Sequence, residues 1–393
     1  MKHSFHELPA RPGFVWLVAL LSLVTLAGLW AAHSMETNGH LVTGMNNHIV
    51  WGLPHVFAVF LIVAASGALN AASLASVFGQ EDMKPWSRLS GVLALALLAG
   101  GLAVLVLDLG RPERLIVAMT NYNFRSIFAW NVFLYTGFFV VVVAYLLTMM
   151  DRGLQAHTRV AGWVAFLWRL LLTTGTGSIF GFLLARETLH TALLAPTFIA
   201  FSFVYGTAVF VLLLLSLEAV GRVRLNEAMR ARLARFLAIF VGLALYFVAV
   251  LHVTKLYVAP GRDFERFLLL DGGLYTRLFW LGQVGIGGIL PLVLLLNPAT
   301  RALRGSLSLA SGAMVLGGFA QMYVTIIGSQ AWPLALFPGQ VVRSSFEDGQ
   351  IHAYTPSSPE LLLGLGGVAL ALLLLALALK FLRILPAAAE EAS

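Results

Sequence analysis

Cysteine is absent from all 393 residues. No disulfide, no thiolate-held iron–sulfur cluster and no haem attached through C-x-x-C-H can therefore form within the chain. Any redox group inside it would be held by histidine or bound non-covalently. Charge is also scarce. Asp, Glu, Lys and Arg make up 11% of the residues, where soluble domains carry roughly 25%. With 59% hydrophobic residues, the composition leaves no room for a sizeable soluble domain. The formal charge of +7 does not point to nucleic acid. In so apolar a chain, Lys and Arg chiefly record orientation and contact with anionic lipid.

What is abundant is apolar sequence in runs of about 20 residues, long enough to cross a hydrocarbon core of ~30 Å. These runs predict ten helices, over residues 14–32, 51–78, 89–109, 126–149, 160–184, 197–217, 233–257, 274–296, 307–327 and 361–382. The expected fold class is an all-α polytopic membrane protein with a single integral membrane domain. The first run follows Lys2 and Arg11, as a signal peptide would, but no small-residue cleavage site follows it. Its length suits a retained helix. Lys and Arg are more numerous on the side of the N-terminus, so the positive-inside rule places both termini in the cytoplasm of a bacterial inner membrane. The connection 328–358 then lies on the periplasmic side. It carries Trp332, Pro333, Pro338, Gly339, Glu347, Asp348 and His352, which suit a cap, a docking surface or an unstructured connector equally.

Ionisable residues at membrane helices are costly, so their depth is informative. Trp51 and His55 open the second span, and Asp108 closes the third. Arg125, Ser126 and Trp130 open the fourth. Arg186, Glu187 and His190 end the fifth, and His252, Lys255 and Tyr257 end the seventh. All of these fall at one depth, on the outer side, whereas the inner ends carry arginine clusters and Glu218. Within VLDLGRPERL (106–115), Gly110 suits a left-handed helix cap and Pro112 stops the helix. Asp108 and Arg111, three apart, are close enough to pair over the last turn. Taken singly, each residue has an ordinary structural explanation: a capped helix end, a packed histidine, an interfacial tryptophan, a snorkelling arginine. The convergence of five spans at one level favours a site.

A quinone headgroup needs a hydrogen-bonding group at its carbonyls, an apolar slot for its tail and a route for protons. Histidine titrates near neutrality and can donate to a carbonyl. A neighbouring carboxylate can take up a released proton. The inventory fits, without singling out a quinone over other ligands.

The stretch LDLGRPERL resembles the D-L-G-R-P signature of the NrfD/polysulfide-reductase membrane-subunit family. NFRSIFAWNVFLY (123–135) is similar to the Ser- and Trp-containing start of that family's next helix, and NNHIVWGLPHVFAVFLIVAASGALN (46–70) to its W-G helix. The ten-span pattern resembles the larger branch, with the hydrogenase subunit HybB and the sulfur-metabolism subunit DsrP. The resemblance implies two four-helix bundles with extra terminal helices, and a pocket for menaquinol or ubiquinol near the periplasmic surface. It places His55 at the headgroup and Asp108 in proton handling or in shaping the pocket, with Trp51, Arg111, Ser126 and Trp130 around them. It implies a subunit without haem or iron–sulfur cluster of its own. Such a subunit exchanges electrons with a periplasmic ferredoxin-like iron–sulfur partner, in a complex with further subunits of molybdoenzyme, cytochrome or hydrogenase type. A setting in sulfur metabolism is implied by the DsrP likeness alone. Arg186, Glu187, His190, His252 and Lys255 match no motif and rest on depth. Asp108, Glu218, His252 and Lys255 are the candidates for proton transfer.

Two other functions predict different residues. A secondary transporter would carry charges at mid-membrane and broken helices. Pro54 and TGTGSIFG (174–181) permit a break, but apart from Arg169 in the fifth span the span centres are largely bare of charge. A b-type cytochrome subunit needs paired histidines at facing depths, and only His55 and His252 lie clearly within spans.

Overall fold

The computed structural model describes residues 5–9, 12–334, 337, 340 and 348–386. Lys2, Arg11, Pro338, Gly339 and Glu347 lie outside the described residues. Ten helices are long and apolar enough to cross a bilayer: α1 (Pro12–Asn38), α2 (Leu53–Ser76), α3 (Glu81–Leu107), α4 (Ile127–Met150), α5 (Arg152–Gly181), α6 (Leu194–Ala219), α7 (Glu227–Tyr257), α8 (Leu274–Leu296), α9 (Arg304–Ala331) and α10 (Ser358–Phe381). The protein is an all-α, multi-pass membrane protein. The one strand pairing among the described residues joins Phe5–His6 to Leu385–Pro386, which brings the two ends of the described chain together.

The helix ends follow local chemistry. Pro54 sits in the first turn of α2, where its missing N–H costs nothing. Asn226 caps α7 by accepting from the Met229 amide. α10 opens with a full capping box, in which the Ser357 side chain and Glu360 bond each other's backbone.

Helices α2 to α5 pack as one four-helix bundle and α6 to α9 as a second, with α2 against α6 where the bundles meet. α9 touches both. α10 covers α2 and α3, and α1 lies outermost on α10. Small residues permit the central contact. A Cβ on Gly206 would lie 2.2 Å from the Ala68 nitrogen, and one on Gly67 would lie 1.6 Å from the Ser202 carbonyl oxygen. Backbones approach this closely in membranes because dispersion and hydrogen bonding, not water exclusion, hold helices together there.

Just beside this crossing α2 is interrupted at Leu69. The interruption has a partner in Arg169 of α5, which is buried. Its guanidinium donates to the Ser66 carbonyl at 3.1 Å and to Asn70 Oδ1 at 2.5 Å. Asn70 in turn donates to Thr207 of α6 at 2.8 Å. Phe166 and Phe203 flank the charge with their rings. A cation at the C-terminal end of a half-helix is favoured by its dipole, and here it ties both bundles to the break.

The glycine crossing gives a direct test. Gly206→Leu forces α2 and α6 apart and lowers the stability of the protein in detergent by about 1–3 kcal/mol or more, as overpacking does. Gly242→Leu, where nothing lies within 4 Å of the added carbon, leaves it unchanged. Equal unfolding midpoints for the two variants would show that the crossing does not limit stability.

Candidate functional site

Asp108 follows the last turn of α3, and its amide still bonds the Val104 carbonyl. Gly110 then takes φ +71°, and the chain turns sharply before Pro112. This turn corrects the expected ion pair with Arg111. Arg111 is exposed, and no ion pair joins it to Asp108 among the described residues. The carboxylate points inward, with its side chain 1% exposed, and faces two imidazoles. His55 Nδ1, from the first turn of α2, stands 2.9 Å from Oδ2. His40, from the segment between α1 and α2, stands 3.8 Å from Oδ1. Its Nε2–H donates instead to the Asp108 backbone carbonyl at 3.1 Å. The His55 contact is close but poorly aligned. By angle, neither Nδ1 nor either carboxylate oxygen completes a hydrogen bond among the described residues. Asp108 beside it, working against partial burial, raises the His40 imidazole above its ordinary value.

Aromatic rings form the adjoining wall. Trp51 lies 6.2 Å from the His55 ring, 6.4 Å from Phe128 of α4 and 5.7 Å from Phe180 of α5, centroid to centroid. A second layer holds this constellation in place. Gln330, buried at the end of α9, accepts from the Val50 and Trp51 amides at 3.0 and 3.1 Å and donates to the Trp51 carbonyl at 3.0 Å. Arg186 donates to the His48 carbonyl at 2.6 Å, and burial pushes its pKa down. Tyr354 donates to Glu360 Oε1 at 2.5 Å and accepts from the Leu53 amide at 2.7 Å. Burial first, then Glu360, pushes the Tyr354 phenol far up, so it stays a donor. Glu360 Oε2 accepts from the Gly44 and Ser357 amides at 2.8 and 2.7 Å. The segment carrying His40 is thereby pinned to α9 and α10.

The remaining sequence candidates separate. Ser126 occupies the N-cap of α4 without a side-chain cap bond. Trp130 is 49% exposed and donates to the Phe124 carbonyl at 2.8 Å. His252 pairs with Glu265, fully buried in the connection to α8, at 2.7 Å. Lys255 donates to the Thr188 carbonyl. Glu187 and His190 are exposed, in the loop that also carries Arg186. The polar residues of this end therefore form two groups, one around Asp108 in the first bundle and one around Glu265 in the second. Glu218 lies at the opposite end, 3.9 Å from both Arg230 and Arg304, and accepts from the Leu225 amide at 3.1 Å. There it ties α6, α7 and α9 together. Among the described residues no group of three or more His, Asp or Glu is placed to hold a metal ion.

Sequence reading missed His40, Gln330, Tyr354, Glu360 and Glu265. Only Glu360 carried a legible signal, the S-x-x-E capping box of residues 357–360.

Comparison with known proteins agrees with this architecture. A family model described as "Polysulphide reductase, NrfD" matches residues 41–333, a stretch that contains His55, Asp108, Glu265 and Gln330. The "Hdr-like menaquinol oxidoreductase integral membrane subunit" of Archaeoglobus fulgidus is 31% identical over 385 residues, covering 95% of this chain and 94% of that protein. A polysulfide reductase polypeptide of Wolinella succinogenes is 27% identical over 272 residues, 63% of this chain and 83% of that protein. The "Menaquinone reductase, integral membrane subunit" of Nitratidesulfovibrio vulgaris is 23% identical over 391 residues, 92% of this chain and 90% of that protein. With three-quarters of its length matched by the family model and a ten-helix membrane fold around the D-L-G-R-P turn, the chain belongs to the NrfD polysulphide reductase family.

Proposed function

We propose that the chain is the quinone-reactive membrane subunit of an oxidoreductase complex, and that the His55–Asp108 constellation is its quinol site. The observation that carries this reading is a buried carboxylate set against a partly exposed imidazole, both with unaligned polar atoms, beside the Trp51–Phe128–Phe180 wall. His55 is the group placed to hydrogen-bond a headgroup oxygen. Asp108 fixes the ring and stabilises its cationic form when the imidazole takes a hydroxyl proton. The aromatic wall supplies the apolar surface along which an isoprenoid tail would enter from lipid.

A quinol gives up two electrons and two protons. The protons fall to His55 and Asp108. A chain without cysteine has no thiolate cluster to receive the electrons, so they pass to an iron–sulfur partner docked at this end. The positive-inside rule puts this end on the periplasmic face. Menaquinone is the favoured quinone, since relatives are named as a menaquinol oxidoreductase subunit and a menaquinone reductase subunit. Quinone reduction would use the same groups in reverse. The His252–Glu265 pair and Lys255 form a second proton-handling group, whereas Glu218, held between two arginines, serves the packing of the opposite helix ends.

His55→Ala and Asp108→Asn should each lower quinol turnover by about 10²–10⁴-fold, the usual loss when general acid–base catalysis is removed, while the complex still assembles. Turnover at the wild-type rate in both variants would remove the site assignment.

His40 predicts a pH dependence. Because its folded-state pKa is raised, the contact with Asp108 stabilises the fold fully below the ordinary histidine value of roughly 6.5. That contribution is lost as the pH rises through the raised value. Thermal unfolding in detergent should therefore show a midpoint that falls over this range, with a flatter profile for His40→Gln. Identical profiles would show that the contact adds nothing to stability.

A further inference from the structure

The second bundle contains polar side chains that the quinol site does not use. Gln283 of α8 is buried, and neither its amide nitrogen nor its oxygen finds a hydrogen-bond partner among the described residues. Gln321 of α9 donates to Thr325 Oγ1 at 2.9 Å, but its own oxygen is unpartnered among them. Both side chains line one cavity between α6, α7, α8 and α9. Native interiors leave few buried polar atoms unsatisfied. Three of them on one cavity indicate that its contents supply the partners.

Size decides what those contents are. The cavity volume is about 30 Å³, and one water needs roughly 10–15 Å³. About two waters fit. Four glycines are among its lining residues. Gly287 and Gly317 bring α8 and α9 so close that a Cβ on Gly317 would lie 2.2 Å from Gly287 Cα. Gly288 and Gly318 also line it, and a Cβ on either would meet the Leu245 or Tyr205 side chain at 2.9 or 2.7 Å. α8 is also π-helical over Leu278–Ile289, a winding that recurs at functional sites.

The cavity lies one helical turn from His252, the partner of the second buried carboxylate. Val248, one of its lining residues, is one helical turn before His252 on α7. Gln283 is one turn after Phe279 on α8, and the Phe279 ring meets the His252 ring edge-on at 4.8 Å. Glu265, paired with His252 through Oε2, has its other oxygen unpartnered among the described residues.

We propose that the Gln283–Gln321 cavity is a water site whose waters relay protons to and from the His252–Glu265 pair. The amides do not titrate, so they hold the water while each molecule accepts one proton and releases another. Glu265 with His252 is the group that stores the proton. The proposal rests on the reading of the chain as quinol-linked, because quinol turnover at the first bundle drives the proton movement.

X-ray hydroxyl-radical footprinting of the purified protein tests the water site, because radicals born in bound water oxidise the side chains around it. Met314 lines the cavity and is 1% exposed, whereas Met322, on the same helix and 0% exposed, does not line it. Met314 should oxidise several-fold faster than Met322, and Gln283→Leu should bring it down to the Met322 rate. Equal rates in the wild type would overturn the water site. The relay is tested in the native complex in sealed vesicles, by protons moved per quinol oxidised. Gln283→Leu, Gln321→Leu and Glu265→Gln should lower that ratio while quinol oxidation continues. An unchanged ratio in all three overturns the relay. Failure of the wild type to oxidise quinol would instead count against the first-bundle site, so the two readings fail separately.

Discussion

A carboxylate enclosed at the end of a membrane helix survives in its charged form only if cations or donors face it. Asp108 meets that condition with His55 from α2 and His40 from the preceding connection, and much of the Asp108 end of the molecule is arranged to keep them there. Gly110 turns the chain so that Arg111 leaves and the His40 ring can approach. Glu360 and Tyr354 fix the segment around Gly44 and Leu53. Gln330 and Arg186 fix the backbone from His48 to Trp51. The result is a carboxylate–imidazole pair that is fixed in position yet poorly aligned in hydrogen bonding, which leaves polar capacity for a third participant.

The centre of the molecule serves this end by holding two bundles in register. Glycines at the α2–α6 crossing allow backbone contact, and Arg169 closes the interrupted α2 while reaching Thr207 of α6 through Asn70. A mid-membrane charge beside a broken helix is a feature expected of transporters. Here the guanidinium is buried and bonded to the helix end itself, so it acts as a fastening between bundles. The bundles then divide the polar chemistry, with one buried carboxylate–histidine pair each among the described residues.

Much of the architecture could be read directly from the chain. Apolar runs of bilayer length announce the ten helices, and the depth of His55 and Asp108 marks them as unusual. What escaped were contacts made at long range. The spacing of Asp108 and Arg111 favours a local pair only if the helix continues, and Gly110 ends it. The partners that replace Arg111 lie 53 and 68 residues upstream on other elements. Glu265 read as a loop residue because nothing local reveals that its connection folds back against α7. Gln283 and Gln321 are uncharged, so a search for intramembrane charge passes over them even though their buried amides demand partners.

The central claim is that the Asp108 end binds a quinone, and equilibrium binding tests it without requiring the partner subunits to turn over. Titration of the purified protein with the fluorescent quinol-site inhibitor HQNO should show saturable, stoichiometric quenching that weakens markedly in Asp108→Asn and in His55→Ala. Quenching of equal strength in the wild type and both variants, or no saturable binding with the partner subunits present, would contradict the account.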